Sequence, residues 1–175
     1  MGSGIFNSTM GIADSGVRSA VVFAVGDLAC AVPAHLVREI LPSSPATRIP
    51  GVHPAVLGLV NVRGALLTVV DLHPLLGQRR GPGEDEAIVV LLRGSRGTGL
   101  LVSEVLDYVE LPQGGRAAPE PLPGVDPRLV AAIGLRGDAH FVVLETESLL
   151  EPVLGPAASA AAPDGARAAQ PGGGT

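Results

Sequence analysis

The 175-residue sequence has no lysine, no tryptophan, one cysteine, and only three phenylalanines and one tyrosine. Each shortage excludes something. Without lysine there is neither a Walker-type phosphate loop nor a Schiff-base catalyst. A single Cys30 excludes an intrachain disulfide and fits a reducing compartment. With so few aromatics, Val, Leu, Ile and Ala must build the core, and little surface is left on which nucleobases could stack. Acidic side chains outnumber basic ones, giving a net charge of −5. That balance disfavours nucleic acid or an anionic membrane as the main partner. No apolar run approaches the ~20 residues that a membrane helix needs. The first residues, MGSGIFNSTMGIADSG, carry neither the basic segment nor the apolar run of a secretory signal. The expectation is a soluble cytoplasmic protein, without direct membrane insertion, metal or cofactor, and long enough for one domain with a core.

What is present is glycine and proline, 24 and 16 residues respectively, punctuating short apolar runs. The stretch around which the chain is organised is Gly58 to Leu76, GLVNVRGALLTVVDLHPLL. Leu59 to Val62 is a β-type run, Arg63-Gly64 a tight turn, and Ala65 to Leu72 a second β-rich run. His73-Pro74 then permits a helical turn through Leu76. Gly58 and Gly64 read as structural glycines, and Asn61 as a side chain that satisfies backbone groups at the turn. Arg63 is the oddity, a cation at the tip of an almost wholly apolar hairpin. Two readings stay open on local pattern: a solvated turn charge, or a binding residue held out by a rigid scaffold.

Taken in order, residues 1–17 are Gly/Ser-rich and read as a flexible leader. Arg18 to Val25 and Leu28 to Val32 read as a hairpin, followed by a short helix in AHLVR and an extended Glu39-Ile40-Leu41. A loop with four prolines between Pro42 and Pro54 leads to Ala55-Val56-Leu57, read as one helical turn. Gln78 to Glu86 is a polar hinge. The pattern then repeats. AIVVLL (87–92) matches AVVFAV (20–25), VSEVL (102–106) matches VREIL (37–41), and IGLRG (133–137) matches VNVRG (60–64). FVVL (141–144) matches TVVD (68–71). Two halves sharing one order of short strands, each too small for a core of its own, should pack together as small β-barrels. Residues 156–175 are Ala/Gly/Pro-rich and are expected to be a disordered tail.

Nothing here reads as a catalytic site. The GSRGTG run (94–99) lies between two strands and reads as a hairpin rather than a phosphate cradle. His35, His53, His73 and His140 lack metal-ligand spacing, and the two that precede proline suggest loop roles. Cys30, mid-strand among apolar neighbours, reads as a small buried hydrophobe rather than a nucleophile. Glu84-Asp85-Glu86 reads as a solvated charge run. Asp71, at the end of a β run, fits a strand-end cap or a salt bridge better than a general base.

The residues that remain carry a resemblance. VVFAVGDLACAV, LVREIL, TRIPGVHPAVLGLVNVRGALLTVVDL, AIVVLL, GLLVSEVLDYVEL and IGLRGDAHFVVLETESLL, in this order and spacing, resemble the CheW family of bacterial chemotaxis coupling proteins. The resemblance covers about residues 18–151. It implies a mainly β fold of two intertwined five-stranded SH3-like β-barrels with short helices, a CheW-like domain. The first barrel would span about 18–77 and the second about 87–151, with strand exchange allowed between them. It implies no enzymatic activity and a scaffold that couples the cytoplasmic tip of methyl-accepting chemoreceptors to the regulatory domain of a CheA-type histidine kinase. Recruitment to membrane receptor arrays would then run through partners. By the same resemblance Arg63, Val37, Glu39 and Ile88 are expected to be receptor-binding. Val37 and Ile88 would supply an apolar strip, and Arg63 would pair with a carboxylate or a helix C-terminus. The alternatives are an auxiliary adaptor in a chemotaxis-like pathway with another output, a small β-barrel that binds nucleic acid, and an enzyme with an unrecognised site.

Overall fold

The computed structural model describes residues 19–81, 86–93, 96–110 and 125–155. The expected leader, the tail from residue 156, Glu84 and Asp85, the tip of the GSRGTG run and most of the Pro/Gly loop after Glu110 lie outside the described residues. In chain order the elements begin with β1 (Ser19–Val25), β2 (Leu28–Pro33), a 3-10 turn (Ala34–Leu36) and β3 (Val37–Pro42). β4 (Val56–Val62), β5 (Ala65–Asp71) and α1 (Leu72–Leu75) complete the first half. The second half holds β6 (Ala87–Arg93), β7 (Arg96–Val102), β8 (Glu104–Glu110), a 3-10 turn (Pro127–Leu129), β9 (Val130–Arg136), β10 (Ala139–Leu144) and α2 (Thr146–Leu154).

The strands form two five-stranded sheets, ordered β8-β1-β2-β10-β9 and β3-β6-β7-β5-β4. Exchanging each strand for its counterpart in the other half turns the first order into the second. Each sheet therefore takes the first two strands of one half and the last three of the other. Two pairings per sheet cross between halves. β1 runs antiparallel to β8 and β2 parallel to β10; β3 runs antiparallel to β6 and β5 parallel to β7. Parallel neighbours need a long crossover, and the rest of the chain supplies it.

Alternation along the strands sorts their side chains into three cores. Val21, Phe23 and Val25 of β1 join Val89 and Leu91 of β6, Leu100 and Val102 of β7, and Leu149 and Leu150 of α2 between the sheets. The opposite faces of the same strands build two further clusters, one around Ala20, Val22, Phe141 and Val143, the other around Val60, Leu67, Val69, Ile88, Val90 and Leu101. Burial on both faces explains why AVVFAV and AIVVLL are continuous apolar runs rather than alternating ones. In each sheet both edge strands reach the same cluster: Leu106 of β8 and Ala132 of β9 in one, Leu41 of β3 and Val60 of β4 in the other. The sheets therefore curl on themselves, as the SH3-like reading requires. The shortage of aromatics is met by placement. Phe141 pairs across strands with Gly134, and its ring lies where a side chain at Gly134 would stand.

Two local expectations are corrected. Val56 and Leu57 do not form a helical turn. Val56 pairs with Val70, and the Asp71 N–H donates to the Ala55 carbonyl at 2.8 Å, so sheet pairing overrides the local preference. His73 is not a loop residue either; it lies inside α1 and is 1% exposed. Asp71 is the α1 N-cap, its carboxylate accepting from the His73 N–H at 3.0 Å, in keeping with the strand-end cap read from sequence. Cys30 is buried, and burial pushes its thiol from 9.0 up to about 12.

The cross-half pairings predict that a fragment ending at residue 83 shows no cooperative melting alone, whereas co-expression with the remainder restores a single transition. Cooperative melting by either half would contradict the sheet composition. For Cys30, the unfolded thiol ionises before the folded one. Its contribution to stability is thus fully present below pH 9 and is lost as pH rises through about 12. Urea melts should show a steeper alkaline loss in the native protein than in Cys30→Ala; equal slopes would place the thiol in a more polar setting.

Candidate functional site

The hairpin tip that the sequence singles out is built by backbone geometry. Val62 pairs with Ala65, leaving Arg63 and Gly64 as a two-residue turn. Both have positive φ, +52° at Arg63 and +85° at Gly64, the pattern of a type I′ turn. Glycine adopts this conformation freely. Arginine does not, and holding a non-glycine residue there costs on the order of 1–2 kcal/mol. Among the described non-glycine residues, Arg63 alone has positive φ. The Asn61 side chain accepts from the Gly64 N–H at 2.9 Å and braces the turn. Gly58, at φ +139°, sits at a register shift in β4, where a β-carbon would strike the Thr47 carbonyl. That close approach lets the TRIP loop lie against β4, with Thr47 and Leu59 exchanging backbone hydrogen bonds of 2.8 and 2.9 Å.

Because the sheet curls, the β4–β5 tip reaches its opposite edge, strand β3. Arg63 Nη1 stands 3.3 Å from Glu39 Oε2, and Arg38 Nε lies 3.9 Å from the other oxygen. The Arg63 side chain is 80% exposed and that of Glu39 only 23%. An exposed pair of this kind contributes under about 1 kcal/mol, so it orients the guanidinium more than it stabilises the fold. Arg63 is therefore a cation displayed at the surface on a tip that would be more stable with another residue.

Val37 lies two positions before Glu39 on β3, half-buried against the central core. The structure does not bring Ile88 to the surface. It is 1% exposed, its β6 backbone pairs with Leu41, and its side chain packs in the cluster of Val60, Leu67 and Val69. Ile88 instead forms part of the floor of a cleft of about 380 Å³, together with Leu57, Val69 and Leu101, with Arg48 and Arg80 among its lining. The sequence reading missed the exposed apolar side chains of this sheet: Ile40 beside Glu39, Leu66 beside the turn, and Leu92. Alternation in β3, where 38 and 40 point out and 37 and 39 in, was the available signal.

The two Arg-Gly pairs that match in sequence differ in structure. Arg136 ends β9 opposite Ala139, so the turn falls on Gly137-Asp138 with φ +59° at Gly137. Arg136 carries no such strain. Two other charges proved structural. Arg93, at the end of β6 beside the GSRGTG run, is buried, donating to Glu147 on α2 at 3.0 Å and to the Gly155 carbonyl at 2.7 Å. Glu86, read within a solvated run, makes a two-pronged ion pair with Arg80, which holds its carboxyl below the usual range.

A CheW-like domain family model matches residues 19–153. The chain is 40% identical over 96 residues to the chemotaxis protein CheW of Rhizobium meliloti, covering 54% of this chain and 62% of that protein. It is 36% identical over 97 residues to a probable chemotaxis protein CheW of Rhizobium etli, covering 55% and 63%. Each of these matches thus spans less than two thirds of the relative. With the chemotaxis protein CheW of Klebsiella aerogenes it shares 25% identity over 132 residues, 74% of this chain and 80% of the other. Among solved structures, the scaffolding protein TtCheW of Thermoanaerobacter tengcongensis has the same fold, with a TM-score of 0.71 at 24% identity, covering 80% of this chain and 96% of that one.

The strain at Arg63 makes a testable statement. Arg63→Asn creates the Asn-Gly pair preferred in type I′ turns and should raise stability by about 1 kcal/mol. Thermal melts check it. A loss of stability would mean that the arginine supports the turn rather than burdening it.

Proposed function

The chain belongs to the CheW-like domain family, and on that premise we propose that it is a non-enzymatic adaptor joining the cytoplasmic tip of chemoreceptors to a CheA-type histidine kinase. The observation that carries the reading is Arg63. A cation kept at positive φ, 80% exposed and steered by Glu39, stands where stability alone favours asparagine or glycine. Strain retained at an exposed position argues for a role outside the fold.

The receptor tip, a helical hairpin, would meet the surface along β3 and the β4–β5 turn. Arg63 would pair with a receptor carboxylate or cap a helix C-terminus, and Glu39 would fix its direction. Val37 would offer the apolar contact on β3, while Ile88 supports the surface from beneath. A helix laid on such a surface takes affinity from a few apolar anchors and register from the charges. No helix among the described residues is long and apolar enough to cross a membrane, and recruitment to receptor arrays would run through the partners.

Binding of receptor signalling fragments to Arg63→Ala and Val37→Asp tests the placement. Both should weaken binding about tenfold or more, equivalent to 1.4 kcal/mol. Arg63→Ala should leave the melting temperature near the parent value, because surface turn substitutions stay within about 0.5 kcal/mol. Undiminished binding by a folded Val37→Asp protein would remove β3 from the site.

A further inference from the structure

Three exposed apolar side chains of the second sheet, Ile40, Leu66 and Leu92, stand near the pair of Arg63 and Glu39 without a part in it. Register separates them. Directly paired strand residues point to the same face of a sheet, and successive residues point to opposite faces. Glu39 pairs with Val90, whose side chain lies in the cluster that the curled sheet encloses. Glu39 is therefore on that face, and so is Leu92, two residues beyond Val90 on β6. Ile40 pairs with Val89 of the central core, and Leu66 precedes Leu67 of the enclosed cluster, so both lie on the other face.

Leu92 is the last β6 residue of the enclosed face. It is 50% exposed, whereas Ile88 and Val90 before it are 1% and 3%. A residue diagonal to Glu39 across two strands stands about 7–8 Å away. No side chain rises opposite Leu92, because its partner on β7 is Gly97, where a β-carbon would press on Leu67 at 3.1 Å. The rim of the sheet thus carries an apolar step, Leu92 beside Leu67, next to two guanidiniums that share one carboxylate, Arg63 and Arg38 on Glu39. That cluster keeps one positive charge, and the exposed leucine gains from being covered. Together they fit one occupant, a helix with an apolar side chain for Leu92 and, one turn along the same face, a carboxylate for Arg63.

We propose that Leu92 is the apolar anchor of the receptor site, and that the receptor helix carries a large apolar residue and a carboxylate three or four positions apart. The inference rests on the adaptor reading and adds a contact residue and a partner pattern to it. Arg63 and Glu39 belong to the first half of the chain and Leu92 to the second, so the site is complete only in the sheet that both halves build.

Titration calorimetry of the full chain with a chemoreceptor signalling-tip fragment, at two salt concentrations and two temperatures, tests it. Leu92→Thr keeps strand propensity at an exposed position and should melt like the parent. It should bind about tenfold more weakly, with a smaller heat-capacity change and an unchanged salt dependence. Leu92→Met should bind like the parent. Arg63→Ala should show the reverse split, losing salt dependence and keeping the heat-capacity change. A merely structural leucine would move neither quantity. If the parent binds the fragment and folded Leu92→Thr binds it equally well, the inference is wrong and the adaptor reading stands. If the parent does not bind, the adaptor reading falls and the inference with it. If Leu92→Thr loses binding to the kinase alone, the leucine serves another partner and the proposal is wrong.

Discussion

Two parallel pairings, β2 with β10 and β5 with β7, hold the molecule together. They join strands far apart in sequence, and each brings a strand of one half into the sheet started by the other. Neither half can complete its hydrogen bonds alone, because an unpaired β2 or β5 would expose a row of backbone donors and acceptors. The same pairings force both faces of the central strands to be buried, which in turn requires the continuous Val/Ile/Leu/Ala runs. A core without tryptophan follows naturally. β-branched side chains fill such layers, and Phe141 supplies bulk over Gly134, its cross-strand partner.

The candidate site inherits its geometry from this constraint. Curling of the second sheet brings the β4–β5 tip against the β3 edge, so that residues 24 positions apart in sequence, Arg63 and Glu39, stand 3.3 Å apart. The ion pair is weak, but the backbone beneath it is not. Gly58, Asn61 and Gly64 fix the hairpin, and the guanidinium is aimed by Glu39. The β7–β8 junction, where the chain changes sheets, carries Ser103 to His73 and Asp71 in the same way. The Arg63–Glu39 pair lies within the first half, across the sheet that β6 and β7 complete, whereas the bond between His73 and Ser103 joins the two halves.

Much of this was legible in the sequence because strand order, turns and repeat are local signals. AVVFAV and AIVVLL, the two Arg-Gly pairs at the hairpins and the VREIL/VSEVL echo marked the strands and their duplication. What was not legible depends on tertiary pairing. Ile88 reads as a groove residue in the string; the structure buries its side chain in the cluster of Val60 and Val69, at the floor of a cleft, because both faces of β6 are covered. His73, beside a proline, looks like a loop residue until α1 packs it against Ser103, 30 residues away. Arg93 looks like a turn charge until α2 arrives with Glu147. The strain at Arg63 was hidden for another reason. Its match with Arg136 suggests equal roles, and only the register shows one arginine inside a turn and the other at the end of a strand.

The central claim is that this chain couples receptor to kinase. Its most direct test is kinase autophosphorylation measured in mixtures of receptor signalling fragments, a CheA-type kinase and this protein, with co-sedimentation read on the same samples. The account predicts that all three sediment together and that kinase activity responds to receptor only when the protein is present. An unchanged kinase response with and without the protein, despite a folded chain, would contradict it.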